Sequence, residues 1–471
     1  MSTRHLRATA AAASLALATV GLSPAVAAGG ATDAMLKPVK TRQGLVQGTA
    51  AEAPGVTVFK GIPFAAAPTG AWRFREAQPP QPWTGVRDGS KWGDTCIQPS
   101  GKTRGIGVNQ ALDMPDSPKA SEDCLNLNVW TPAKTAGAKL PVMVWYYGGA
   151  YAEGGGSMPF ANGTNLARKG VIVVSLNYRV GPFGFLSSPE LDAASPHHAS
   201  GNQALSDSIA ALKWVKANIA AFGGDPNNVT IFGQSAGACI TAALVGSPVA
   251  SGLFQKAISE SGAWAGLTAT KMVTREAAEK QTAAAMEKAG VHSLAELQAL
   301  PADQVAKLGR AQGIIVDGWI VPEDESITFA QGRQNKVAVL LGSNGNEGGS
   351  FGPPGGVKTT AAAWKAGAAQ RWKDLAELGL KAYPAETDAQ AQAFSSRPFT
   401  DGIAWFMHHY ASEQAKVGKA SYLYQFAHNP PAAPGKPSGG PTHASELSDV
   451  LNNLDKPREV PDPGSPVVAS Q

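Results

Sequence analysis

Val229-Thr230-Ile231-Phe232-Gly233-Gln234-Ser235-Ala236-Gly237-Ala238-Cys239 decides how this chain is read. Four residues of strand-forming character run straight into a helix-compatible stretch, Ala236 to Val245, with no room for a loop between them. A serine at such a junction sits on a sharp, strained turn. The next residue's N–H and the helix N-terminus then face its hydroxyl. The glycines on either side have a steric reason, since a side chain there would collide where strand and helix cross.

The pattern Gly-x-Ser-x-Gly is weak by itself, because roughly 0.4 chance matches are expected in a glycine-rich chain of this length. A second match exists at Gly348-Gly349-Ser350-Phe351-Gly352, followed by Pro353-Pro354-Gly355-Gly356, which cannot open a helix. Ser235 is therefore the nucleophile candidate, and Ser350 reads as a loop serine.

Around the junction, short β-branched runs alternate with alanine-rich helical stretches, the pattern of an α/β fold with a central, mostly parallel sheet covered by helices. Buried strands are expected at Val142 to Tyr146, Val171 to Leu176, Val229 to Phe232, Ala257 to Ser259, Val337 to Leu341 and Tyr422 to Phe426. Ser206 to Phe222 carries a helical period up to the turn Gly223-Gly224-Asp225-Pro226, and 271–310 and 360–418 carry further helical patterns.

A serine hydroxyl needs a base, and the base an acid that orients it. His292, His408 and His409 lie in helical stretches. His428 ends a strand, and His443 lies in the loop Gly439-Gly440-Pro441-Thr442-His443, from which it could reach the top of the sheet. Glu347 follows the strand Val337 to Leu341, with Asp317 and Asp324 as alternative acids. Tyr147-Gly148-Gly149-Ala150-Tyr151 follows Val142 to Tyr146 directly, and its small residues let backbone N–H groups converge on a developing oxyanion.

Composition bounds the rest. The 471 residues are 43% hydrophobic and 16% charged with 3 Cys, which excludes a disordered, collagen-like or disulfide-scaffold protein. A formal charge of +4 without a Lys/Arg cluster argues against nucleic acid and anionic membranes as partners. Arg4, His5 and Arg7 precede an uncharged apolar run, Ala8 to Leu22, and Ala25-Val26-Ala27 supplies small residues for cleavage. Residues 1–28 thus read as a secretory signal cut near Ala27 or Ala28; the run of about 15 residues is too short to span a bilayer. In an oxidising compartment Cys96 and Cys124 could close a loop, worth about 3 kcal/mol. Cys239 reads as a small core residue, and no Cys/His spacing suggests a metal, so neither metal nor cofactor is expected. The Pro-, Gly- and Ser-rich residues 456–471 read as a disordered tail, leaving one domain over 29–455.

The chain resembles the type-B carboxylesterases, α/β-hydrolases that include the cholinesterases, over about residues 36–451. The matching segments are Phe59-Lys60-Gly61-Ile62-Pro63-Phe64-Ala65 with Arg73-Phe74, Glu122-Asp123-Cys124-Leu125-Asn126-Leu127-Asn128-Val129-Trp130, Asn177-Tyr178-Arg179-Val180-Gly181 with Gly184-Phe185-Leu186, and Asn218 to Pro226. Further matches are Ser343-Asn344-Gly345-Asn346-Glu347-Gly348 and His443-Ala444-Ser445-Glu446-Leu447.

The resemblance implies Ser235 as nucleophile, Glu347 as acid and His443 as base, which demotes His428. It implies the N–H groups of Gly149, Ala150 and Ala236 as oxyanion donors, Ser261 as support for the acid, and a Cys96–Cys124 disulfide. Ala150 stands where the family has a third glycine, and its N–H survives. Gln234 stands before the nucleophile, and no aromatic residue lies between Cys96 and Cys124, so a choline ester is not the expected substrate. The expectation is a secreted serine esterase of small-molecule esters whose activity falls on acidification through about pH 6 to 7. Two other readings are a non-catalytic binding protein on the same fold, and a weakly active product shortened at its C-terminus, where family members continue through a packed helix.

Overall fold

The computed structural model describes residues 34–98, 118–267, 271–309, 313–351, 358–429 and 440–454. The expected signal segment, the expected tail at 456–471 and most of the loop between Cys96 and Cys124 lie outside the described residues.

Nine strands form the main sheet: β1 (Thr49–Ala50), β2 (Thr57–Pro63), β3 (Asn126–Thr131), β4 (Leu140–Tyr146), β5 (Ile172–Leu176), β6 (Gly224–Gln234), β7 (Lys256–Glu260), β8 (Ala338–Asn344) and β9 (Ser421–Phe426). Their spatial order is β9-β8-β7-β6-β4-β5-β3-β2-β1. From β9 to β5 neighbouring strands run parallel. Beyond β5 they run antiparallel through β3, β2 and β1, so the sheet is mixed. The central strands are apolar because both faces are covered. All five residues of β5 are buried, as are Val142, Val144, Trp145 and Tyr146 of β4.

Every strand expected from the sequence exists, with one correction. Tyr422 to Phe426 is not a buried strand: β9 is the sheet's edge, and Tyr422 and Leu423 are 61% and 49% exposed. A β-branched and aromatic run signals a strand whether its outer neighbour exists or not. The helix expected over Ser206 to Phe222 is α1 (Gln203–Asn218), closed by a 3₁₀ turn at Ile219–Phe222. Gly223 stops that turn at φ 87°, and a Cβ there would lie 2.3 Å from Ala133 Cβ. Cys96 and Cys124 are bonded to each other. Among the described residues no helix is long and apolar enough to cross a membrane.

Candidate active site

β6 ends at Gln234 and α2 (Ala236–Gly246) begins at Ala236, which leaves Ser235 alone in the junction. It holds φ 57° and ψ −123°, a backbone that L-residues avoid and that persists only where the surroundings enforce it. Enforcement comes from both sides: Ser235 N donates to Glu260 O at 2.9 Å, and Ser235 O accepts from Cys239 N at 3.0 Å. The flanking glycines are required by contact. A Cβ on Gly233 would lie 2.6 Å from the Gly237 carbonyl carbon, and one on Gly237 would lie 2.0 Å from Tyr146 O.

The candidate acid and base arrive from later strand ends. Glu347 opens the turn Glu347–Phe351 three residues beyond β8, fully buried. His443 Nδ1 lies 2.6 Å from Glu347 Oε2. The other carboxylate oxygen, Oε1, accepts from Ser261 Oγ at 2.5 Å and from Asn344 N at 2.7 Å. Three donors thus share one buried carboxylate. This satisfies both oxygens and fixes Nδ1 as the protonated ring nitrogen, leaving Nε2 as an acceptor. Nε2 faces the elbow, 3.3 Å from Gln234 Nε2, the residue before Ser235.

The turn after β4 passes directly under Ser235. A Cβ on Gly148 would lie 3.0 Å from Ser235 Cβ. Gly149, Ala150 and Tyr151 all take positive φ, at 122°, 53° and 62°, which rotates successive N–H groups inward as a strand cannot. Among the described residues no backbone hydrogen bond is donated by the N–H of Gly149, Ala150 or Ala236. Tyr147 and Tyr178 brace this turn: their rings stack at 4.1 Å, and each hydroxyl donates to the other residue's carbonyl at 2.6 Å. Gly181 N donates to Tyr151 O at 2.7 Å, and the preceding Arg179 makes a buried bidentate pair with Asp207 at 2.7 and 2.9 Å.

The competing candidates are placed elsewhere or used otherwise. His428 is exposed, with Nδ1 3.7 Å from Asp449. Asp317 spends its carboxylate on the amides of Trp319 and Val321, and Asp324 caps the helix Glu325–Ala330. Burial pushes the Cys239 thiol up to about 12, in keeping with a core role. Ser350 lies nearer the site than a loop serine suggests, its hydroxyl 3.4 Å from His443 O. The residues that sequence reasoning missed are Asn344, Glu260, Glu446 and the Tyr147–Tyr178 brace. All sit next to recognised segments, but only their burial and partners mark them out.

A strained serine between a parallel strand and a helix, on a sheet of this order, defines an α/β-hydrolase. Comparison with known proteins narrows the class. The Carboxylesterase family model matches residues 36–457, and the chain belongs to that family of serine hydrolases acting on carboxylic esters. It is 36% identical to fumonisin B1 esterase of Sphingopyxis macrogoltabida over 424 residues, 88% of this chain and 74% of that one. It is 37% identical to para-nitrobenzyl esterase of Bacillus subtilis over 435 residues, 88% and 83% of the two chains. A solved carboxylesterase from Geobacillus stearothermophilus superposes with a TM-score of 0.76 at 33% identity, covering 89% of this chain and 84% of that one.

Proposed function

We propose that this chain is an exported carboxylesterase working through Ser235, His443 and Glu347. Ser235 Oγ attacks the ester carbonyl carbon and passes its proton to His443 Nε2. The amides of Gly149, Ala150 and Ala236 hold the oxyanion. Collapse breaks the carbon–oxygen bond to the alcohol, which leaves with the proton from His443. Water then attacks the acyl-enzyme with the same histidine as base, releasing the acid and restoring the serine. Glu347 orients the ring and stabilises its charged form. In the productive complex the Gln234 contact on Nε2 is exchanged for the serine hydroxyl, since such catalytic contacts commonly tighten only with substrate in place.

The observation that carries this reading is the triply satisfied carboxylate on Nδ1, with Nε2 turned to the elbow. Support for small-molecule esters comes from the esterases named above. Ser235→Ala should abolish hydrolysis of para-nitrophenyl acetate and labelling by a fluorophosphonate while leaving the thermal melt intact. Wild-type turnover in that variant would remove Ser235 from the role. Export predicts a mature N-terminus at Ala28 or Gly29, read by mass spectrometry of the secreted protein; an intact Met1 there would refute it.

A further inference from the structure

Behind the His443–Glu347 pair lies a second layer of carboxyl groups that the mechanism above does not use. Glu260 ends β7 one residue before Ser261, and Glu446 stands just before the helix Leu447–Val450, three residues after His443. They are 1% and 0% exposed. Each keeps one oxygen without a hydrogen-bond partner, Oε2 of Glu260 and Oε1 of Glu446. Glu446 Oε2 accepts from Asn344 Nδ2 at 2.5 Å, and the same amide reaches Thr442 O at 2.7 Å. Because Asn344 N also donates to Glu347, one residue at the end of β8 touches both the triad acid and Glu446.

The groups facing this nest come from four elements. They are Glu347 from the turn after β8, His443 from its loop, Asn344 from β8 and Tyr424 from β9. The Tyr424 hydroxyl has no hydrogen-bond partner. Burial raises it further from ionisation, so it supplies no charge. Among the described residues no lysine or arginine is ion-paired with Glu260, Glu347 or Glu446; the contact in the nest is that of His443 Nδ1 with Glu347 Oε2, an ion pair only while the ring is protonated.

Three carboxyl groups packed this closely and this far from water cannot all be ionised, because desolvation and mutual repulsion both oppose it. Both effects push Glu260 and Glu446 above the usual carboxylate range. They are not equivalent. Asn344 donates to Glu446 and favours its charged form, while burial and the facing Glu446 act on Glu260 without a compensating donor. Where two acids share a site, like-charge repulsion strongly raises one of the two, and the acid without a donor is the one that keeps the proton.

We propose that Glu260 and Glu446 hold one proton between them, seated on Glu260, and that ionised Glu446 works beside Glu347 to stabilise the imidazolium that His443 becomes during turnover. Glu446 is a positioning residue: it acts through His443 and touches neither substrate nor reacting atoms. The inference rests on the triad assignment above.

Removing a negative charge beside the ring makes the ring harder to protonate, so the acidic limb of kcat/KM against pH should move down. In Glu446→Gln we expect a shift of about half a unit to one unit, with about tenfold lower kcat. Glu446→Asp, which keeps the charge, should return the limb towards wild type. Glu260→Gln, which replaces a neutral group with a neutral group, should leave the limb in place. Active sites are counted by fluorophosphonate titration so that misfolded protein does not enter kcat. An unmoved limb in Glu446→Gln, or an equal shift in Glu260→Gln, overturns the assignment while leaving the triad intact. Turnover by Ser235→Ala would instead take down the triad itself.

Should Glu446→Gln fail to fold, the proton's seat is still testable. A carboxyl protonated in the folded state and ionised in the unfolded one costs stability as pH rises above its unfolded value. The Tm of Glu260→Gln minus that of wild type should therefore widen between pH 5 and pH 9. A constant difference overturns the proposal.

Discussion

Gly237→Ala adds one carbon where, among the described glycines, a Cβ would meet the shortest separation from a neighbouring atom. The new Cβ would lie 2.0 Å from Tyr146 O and 2.7 Å from Tyr147 O, against about 3.4 Å for ordinary contact. Both obstacles are backbone of the strand and turn that carry the proposed oxyanion amides, so no rotamer change relieves the clash. Either α2 lifts away from β4 or the 147–151 turn retreats, by more than an ångström in either case. Each movement separates Ala236 N from the amides of Gly149 and Ala150. Overpacking of this kind costs about 1 to 3 kcal/mol in stability. Misplacing one oxyanion donor costs about 10² to 10³ in rate.

Gly402→Ala is the control. Gly402 lies within the helix Arg397–Lys416, and a Cβ there meets nothing within 4 Å, so helix propensity alone should add about 0.5 to 1 kcal/mol. Steady-state hydrolysis of para-nitrophenyl acetate, normalised by fluorophosphonate titration, reads the rate, and urea denaturation reads the stability. Wild-type kcat and stability in Gly237→Ala would refute the claim that strand and helix cross too closely for a side chain.

Other expectations follow from the same contacts. In Glu347→Gln the carbonyl oxygen keeps the two donors from Ser261 and Asn344, so the new NH₂ faces His443 Nδ1 and moves the ring proton to Nε2. The ring then cannot accept from Ser235, and kcat should fall by about 10⁴ without loss of fold; a loss below tenfold would exclude Glu347 as the orienting acid. Asp207→Asn strips the charge partner from buried Arg179 and should cost about 3 to 5 kcal/mol in urea denaturation, so a loss under 1 kcal/mol would contradict the pairing. Glu325 is buried with both carboxylate oxygens unpartnered, and burial raises it well above the usual range. Its folded form holds a proton that the unfolded chain releases, so its contribution to stability declines as pH rises above about 4.5. Glu325→Gln should gain in Tm over wild type from pH 5 to pH 9, and a gap that shrinks would refute the sign.

The elbow was legible in the sequence because it is local. Strand propensity, helix propensity and two glycines within ten residues define it, and the same test set aside the match at Ser350, where Pro353-Pro354-Gly355-Gly356 cannot open a helix. The parallel strands were legible for a related reason: runs buried on both faces are written as uninterrupted apolar stretches. The acid and base were not legible in this way. A place after a strand favoured Glu347 over Asp317 and Asp324, but His428, at the end of a strand, stood as a live competitor of His443 until resemblance to a family demoted it.

Tertiary structure separates them physically. It consumes Asp317 and Asp324 in a local turn and a helix cap, leaves His428 in solvent, and closes Glu347 on His443 across 96 positions of chain. It also makes β9 an edge and places Glu260 and Glu446 together behind the His443–Glu347 pair, which no periodicity records. Backbone preferences act over a few neighbours and so survive in a linear reading. Which buried charges meet depends on how distant strand ends are stacked, and a chain states that only once it has folded.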